Sequence, residues 1–140
     1  MDKLQQRILD IIHKPQLAAL ATVTEMNNPW VRYVVTVGDG NLLLRCASFR
    51  ESRKVQHIND NPNVHLTCGV SSLQEMQPYL QIQGQARVAT DEVERHAFWN
   101  DMLASTFTGP DDPKYCVIVI EPYRIEYCSQ GSLEPEVWTR

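Results

Sequence analysis

The chain has 140 residues, 43% of them hydrophobic and 21% charged, with 13 Lys and Arg against 17 Asp and Glu for a net charge of −4. This is enough chain for one buried core, and the composition excludes intrinsic disorder, a collagen repeat and a disulfide mini-scaffold. The acidic balance excludes non-specific nucleic-acid binding, which rests on phosphate neutralisation, so any positive charge that matters is local.

The start, Met1 to Arg7, lacks the apolar stretch of a signal peptide. No apolar run approaches the roughly 18–20 residues that span a bilayer. Cys46, Cys68, Cys116 and Cys128 form no C-x-x-C pair and no zinc spacing; each lies in or beside an apolar stretch. Buried free thiols in a reducing cytosol are the expectation, with no membrane contact and no metal.

Residues Asp2 to His13 have helical spacing of Leu4, Ile8, Ile11 and Ile12, with Asp2 as N-cap and Pro15 as stop. Leu17 to Thr24 is a short buried strand, and Met26 to Pro29 a turn. Trp30 to Val37 is rich in β-branched and aromatic residues and predicts a second strand. Gly38-Asp39-Gly40-Asn41 signals a hairpin, with Leu42 to Cys46 returning. Ser48 to Asn59 changes to helical spacing at Val55 and Ile58, with Ser52 as N-cap and Asn61-Pro62 as terminator. Asn63 to Val70 and Tyr79 to Ala89 are strands; in the second, Leu80, Ile82 and Gly84 alternate with three glutamines. Asp91 and Glu94 open a helix reaching about Ala104. Tyr115 to Glu121 and Tyr123 to Ser129 are strands broken at Pro122, and residues 130–140 are a polar tail carrying Val137-Trp138. One domain over residues 1–140 is predicted, with no repeat or linker. The fold class is mainly β: the short connections between strands favour an antiparallel barrel or sandwich with about three appended helices.

The window Arg45 to Asn61 is the most informative. Arg45, Arg50, Arg53 and Lys54 fall within ten positions, interleaved with Ser48 and Ser52. Ser52, Arg53 and Lys54 at a helix N-terminus combine free N–H groups, a positive dipole end, a hydroxyl and two cations, which suits a phosphate; an ordinary N-cap with solvated basic residues is the competing reading. Arg32 lies inside an apolar strand and must face solvent, pair with an acid or hold an anion. The four histidines have neither HxH nor HxxxH spacing and are expected at the surface or its boundary. There is no G-x-G-x-x-G or Walker A motif. No side chain stands out as a catalytic acid or base.

The succession LAALATVT, PWVRYVV, SRKVQHINDNPNVHL, QIQGQARVATDE and PKYCVIVIEPYRIEY resembles the pyridoxamine 5′-phosphate oxidase-like, FMN-binding split-barrel family, and within it the general stress protein branch. The resemblance spans residues 2 to 129. It implies a six-stranded antiparallel Greek-key split barrel and a homodimer with FMN in clefts between the subunits. It implies that Arg32, Tyr33 and Val34 line the flavin and its phosphate, that Ser48 offers a hydroxyl, and that Ser52, Arg53 and Lys54 hold the phosphate. Tyr79 falls where relatives carry a polar residue near the flavin, and Trp99 matches the helix aromatic of the stress-protein branch, read here as packing. The implied function is an FMN-dependent oxidoreductase, NAD(P)H-linked and stress-related. The alternatives are a non-catalytic flavin-binding or sensing protein, and a deazaflavin- or haem-binding member. The chain ends soon after Tyr127, so the resemblance does not extend to the longer C-terminal segment used in pyridoxal phosphate synthesis.

Overall fold

The computed structural model describes residues 1–140 and begins with the capped helix expected from Asp2. Helix α1 (Lys3–Ile12) is closed by a reciprocal capping box. The Gln5 N–H donates to Asp2 at 2.7 Å, and the Asp2 N–H donates to the Gln5 side chain at 3.0 Å. Ile8 and Ile12 bury its apolar face. A Cβ on Gly38 would lie 2.5 Å from Ile12, so only glycine lets the helix approach the sheet here.

Seven strands follow: β1 (Gln16–Val23), β2 (Pro29–Gly38), β3 (Leu44–Phe49), β4 (Asn63–Cys68), β5 (Tyr79–Ala89), β6 (Tyr115–Cys128) and β7 (Glu136–Thr139). Helix α2 (Arg53–Asp60) links β3 to β4, and α3 (Glu92–Phe98) follows β5. The strand order is β3-β2-β1-β4-β5-β6, and β3 pairs with β6 to close a six-stranded antiparallel barrel. With its three helices this is the split-barrel class expected from the sequence. Leu20, Leu44, Leu66, Leu80, Ile82, Ile118 and Ile125 fill the barrel core. Truncating any one of them to alanine would cost roughly 2–5 kcal/mol.

Four elements depart from expectation. First, β6 is continuous through Pro122. Gln83 pairs with Arg124 and Gly84 with Pro122, so Tyr123 is the extra residue of a bulge. A Cβ on Gly84 would sit 2.8 Å from the Glu121 carbonyl oxygen, which is why a glycine faces the bulge. Second, the polar tail contains a strand. β3 covers only the first half of β6, Tyr115 to Ile120; β7 pairs with the exposed second half, Arg124 to Tyr127. Trp138 is buried there, and Arg7 of α1 holds Glu136 through two 2.7 Å hydrogen bonds. Third, the helix expected to reach Ala104 stops at Phe98. Trp99 turns to extended backbone and packs edge-on against Tyr115, and Asn100 caps a separate 3-10 turn, Asp101–Ser105. Fourth, β3 is displaced towards the C-terminus. Leu42 is in the turn, with φ of 61°. Asp39 organises that turn by accepting from the Asn41 and Leu43 N–H groups. Burial of Leu42 offsets the cost of a left-handed leucine.

Tyr115, Val117 and Val119 project from the other face of β6 into a second cluster with Phe107, Phe98, Trp99 and Leu103. Both faces of this half of β6 are therefore covered, which accounts for its unbroken apolar sequence.

Candidate functional site

The site is built where β1, β2 and β3 meet α2. On β3, Ser48 is buried, and its Oγ lies 2.9 Å from the Ser52 Oγ. Ser52 is the N-cap residue of α2 by backbone geometry, yet its hydroxyl does not cap the helix. The first-turn N–H groups of α2 thus have no side-chain acceptor, and the dipole end stays open.

Three cations gather around this end. Arg32 comes from β2, with Nη1 donating to the Leu20 and Trp30 carbonyls and to Thr22 Oγ1. Arg53 is exposed, its guanidinium 5.3 Å from the centre of the Trp30 ring. Lys54 is half-buried. None of the three is within salt-bridge distance of an acid. Burial lowers the Arg32 pKa, and the Arg53 charge lowers it further. Burial lowers Lys54 as well, with Arg32 adding to the effect. The thiol beside them gives no neutralisation, because burial pushes Cys46 up to about 12 and keeps it protonated at neutral pH. Like charges held together with no counter-charge are the physical signature of an anion site.

Lys54 and Ser48 also stand at the edge of a groove of about 370 Å3. Its wall is mostly apolar, including Val35, Val37, Phe49, Phe98, Leu103 and Phe107. Asp, Glu, His and Cys are absent from its lining. One cation of the trio, Lys54, reaches the apolar trough, and such an arrangement suits a ligand that is planar at one end and anionic at the other.

The sequence-predicted residues divide as follows. Arg32, Ser48, Ser52, Arg53 and Lys54 fall at this corner. Val34 points into the barrel core, and Tyr33 projects from the opposite face, 77% exposed. Arg50 serves the fold: its Nε donates to the Tyr115 carbonyl. Tyr79 pairs with Cys128 on β6. Trp99 packs in the second cluster, as the packing reading expected. Sequence reasoning missed Thr22 and His57, whose side chains meet at 2.8 Å beside Arg32. The signals were faint: Thr22 is an inward position in the alternation of β1, and His57 follows Lys54 by three residues on α2. Three of the four cysteines are buried, Cys128 is half-buried, and all are free.

Comparison with known proteins identifies the family and the fold. The family model for pyridoxamine 5′-phosphate oxidase matches residues 4–129. General stress protein 26 of Bacillus subtilis (strain 168) is 29% identical over 132 residues, covering 94% of this chain and 93% of that protein. The crystal structure of General Stress Protein 26 from Bacillus anthracis str. Sterne superposes with a TM-score of 0.84 at 28% identity, over 99% of this chain and 100% of that one. A putative pyridoxamine 5′-phosphate oxidase from Listeria innocua gives 0.77 at 30% identity, over 89% and 98%. Below 25% identity the same fold, and only the fold, is shared with an F420 reductase (24%, TM-score 0.66, covering 83% and 93%) and a heme binding protein from Mycobacterium smegmatis (15%, 0.67, covering 99% and 59%). It is shared likewise with an FMN binding protein from Nostoc punctiforme (16%, 0.69, covering 87% and 79%). The chain belongs to the pyridoxamine 5′-phosphate oxidase family.

Proposed function

We propose that the protein is an FMN-binding flavoprotein acting as an oxidoreductase, with NAD(P)H as electron donor, in a reducing cytoplasm. The observation that carries this is the uncompensated trio Arg32, Arg53 and Lys54 at an open helix N-terminus, beside an apolar groove. The donors fit a phosphate monoester: two guanidinium groups, an ammonium, the Ser52 hydroxyl and helix N–H groups, with Ser48, whose own proton goes to the Phe49 carbonyl, placed 2.9 Å from Ser52 to orient it. Val35, Val37, Phe49 and Phe107 suit the flat faces of a flavin ring. Tyr33 and Val34 would contribute through the backbone of β2. Bound FMN supplies the electron-transfer chemistry; the chain's residues bind it, orient it and keep water from it. The four free thiols fit a cytoplasmic setting.

A homodimer completes this reading. The outer face of β2 is apolar like that of the first half of β6, but it is bare, while its inner face carries Arg32, Val34 and Thr36. Leu17 of β1 and Val31, Tyr33 and Val35 of β2 lie side by side and exposed. Val35 and Phe49 belong at once to this outer surface and to the groove wall. A second copy seated here would cover the strip and close the groove from outside.

A non-catalytic flavin carrier is the second reading, favoured by a groove without Asp, Glu, His or Cys. A deazaflavin shares the phosphate chemistry. A haem is less suited, since the lining has no His, Cys or Tyr to serve as an axial ligand. Mass spectrometry of ligand released from the purified protein, followed by titration with FMN, tests the assignment. FMN released or bound saturably is expected; no flavin binding would defeat it. Steady-state NAD(P)H oxidation by the loaded protein separates enzyme from carrier. Light scattering is expected to give twice the 16.1 kDa chain mass, falling to one chain in Tyr33→Glu.

A further inference from the structure

Arg32 poses a physical problem. It is a half-buried cation facing two others, and no carboxylate holds it. Repulsion alone would swing it outward. The structure holds it with neutral acceptors, which fix the guanidinium without cancelling its charge. Two are the Leu20 and Trp30 carbonyls, at 3.2 and 3.1 Å. The third and shortest contact is Thr22 Oγ1, at 2.8 Å. All three fall on Nη1, so Nε and Nη2 have no protein acceptor.

Thr22 is 1% exposed, and its Oγ1 also lies 2.8 Å from His57 Nδ1. Donor counting orients this chain. Arg32 can only donate, so Thr22 accepts from it; the single hydroxyl proton then goes to His57 Nδ1. The reverse, His57 donating, would leave a buried hydroxyl proton with no acceptor. His57 therefore carries its proton on Nε2. The relay ties β2 through β1 to α2, so the guanidinium and the helix end bearing Arg53 and Lys54 are set relative to each other.

We propose that Thr22 and His57 are positioning residues that hold Arg32 as a charged, un-neutralised clamp for the ligand's phosphate. This rests on the phosphate reading above, and the experiment separates the two. FMN and riboflavin affinities are measured by flavin fluorescence for the wild type and for Thr22→Val, Thr22→Ser, His57→Leu and His57→Asn. Thr22→Val keeps the shape and removes the hydroxyl. It is expected to weaken FMN about tenfold while riboflavin stays within about twofold, and Thr22→Ser restores the preference. His57→Leu is expected to act in the same direction, with His57→Asn, which returns an acceptor near Nδ1, restoring it. Nitrogen-15 spectra of the wild type are expected to show the Nε2–H tautomer of His57. A wild type that binds FMN and riboflavin equally overturns the phosphate reading itself. A wild-type preference that survives both Thr22→Val and His57→Leu, or variants that weaken both ligands alike, overturns the positioning role alone. If Thr22→Val does not fold, the His57 pair decides.

Discussion

Two basic clusters lie on either side of β3, and they are built on opposite principles. On one side Arg45 is clasped by Asp39 of the hairpin, at 2.7 Å, and by Glu94 of α3, with Arg87 also within 3.7 Å of Glu94. Burial alone would lower Arg45, but the hydrogen bonds it donates to Glu94 and Asp39 outweigh this and raise its pKa. On the other side Arg32, Arg53 and Lys54 have no acid, and the pKa values of Arg32 and Lys54 move downward. The Arg45 cluster satisfies itself and pins α3 to the barrel. The Arg32 cluster is incomplete as it stands, and a ligand anion would complete it. Charge density alone did not distinguish them in the sequence, since Arg45 and Lys54 sit in one basic run; the position of the acids does.

The contrast can be broken by substitution. The largest effect is expected from Lys54→Glu, which should weaken FMN by on the order of 100-fold while riboflavin changes little, in a fluorescence titration. Next, Arg45→Gln should lower unfolding stability by about 1–2 kcal/mol in urea, leaving the FMN-to-riboflavin preference at its wild-type value. A change of ligand preference there would merge the two clusters and undo the comparison. Ionic strength gives a smaller signal. Raising salt by about tenfold should weaken FMN several-fold and riboflavin hardly at all, because only the phosphate meets the unpaired charges.

The smallest effect lies at the remote Arg7–Glu136 pair, another arginine that is already satisfied. The hydrogen bonds from Arg7 hold the Glu136 carboxyl below its ordinary pKa. A depressed carboxylate stabilises the fold above its unfolded pKa, and the contribution fades as pH falls through the folded value. Glu136→Gln should therefore melt slightly below the wild type at pH 7, with the difference shrinking as pH falls below the ordinary glutamate range. FMN affinity should not change.

Features set by local chemistry were legible in the sequence. The bounds of β5 follow from Leu80 and Ile82 alternating with glutamines, and the start of α2 from Ser52. What was hidden depends on distant partners. Strand β7 exists because the second half of β6 lacks β3 as a neighbour. Leu42 adopts a left-handed turn because its burial outweighs backbone preference. Helix α3 ends early because Trp99 turns onto Tyr115. In the site, Arg32 and Lys54 were readable as cations out of place, but the absence of neutralising acids was not. The Thr22–His57 contact joins residues 35 positions apart, beyond any local pattern.

The central claim is that the Arg32, Arg53 and Lys54 corner binds the phosphate of a flavin. Calorimetric titration of the wild-type protein with FMN and with riboflavin, under identical low-salt conditions, tests it most directly. Saturable FMN binding at least about tenfold tighter than riboflavin is expected, the difference residing in the phosphate. Equal affinity for the two, or no binding of either, would contradict it.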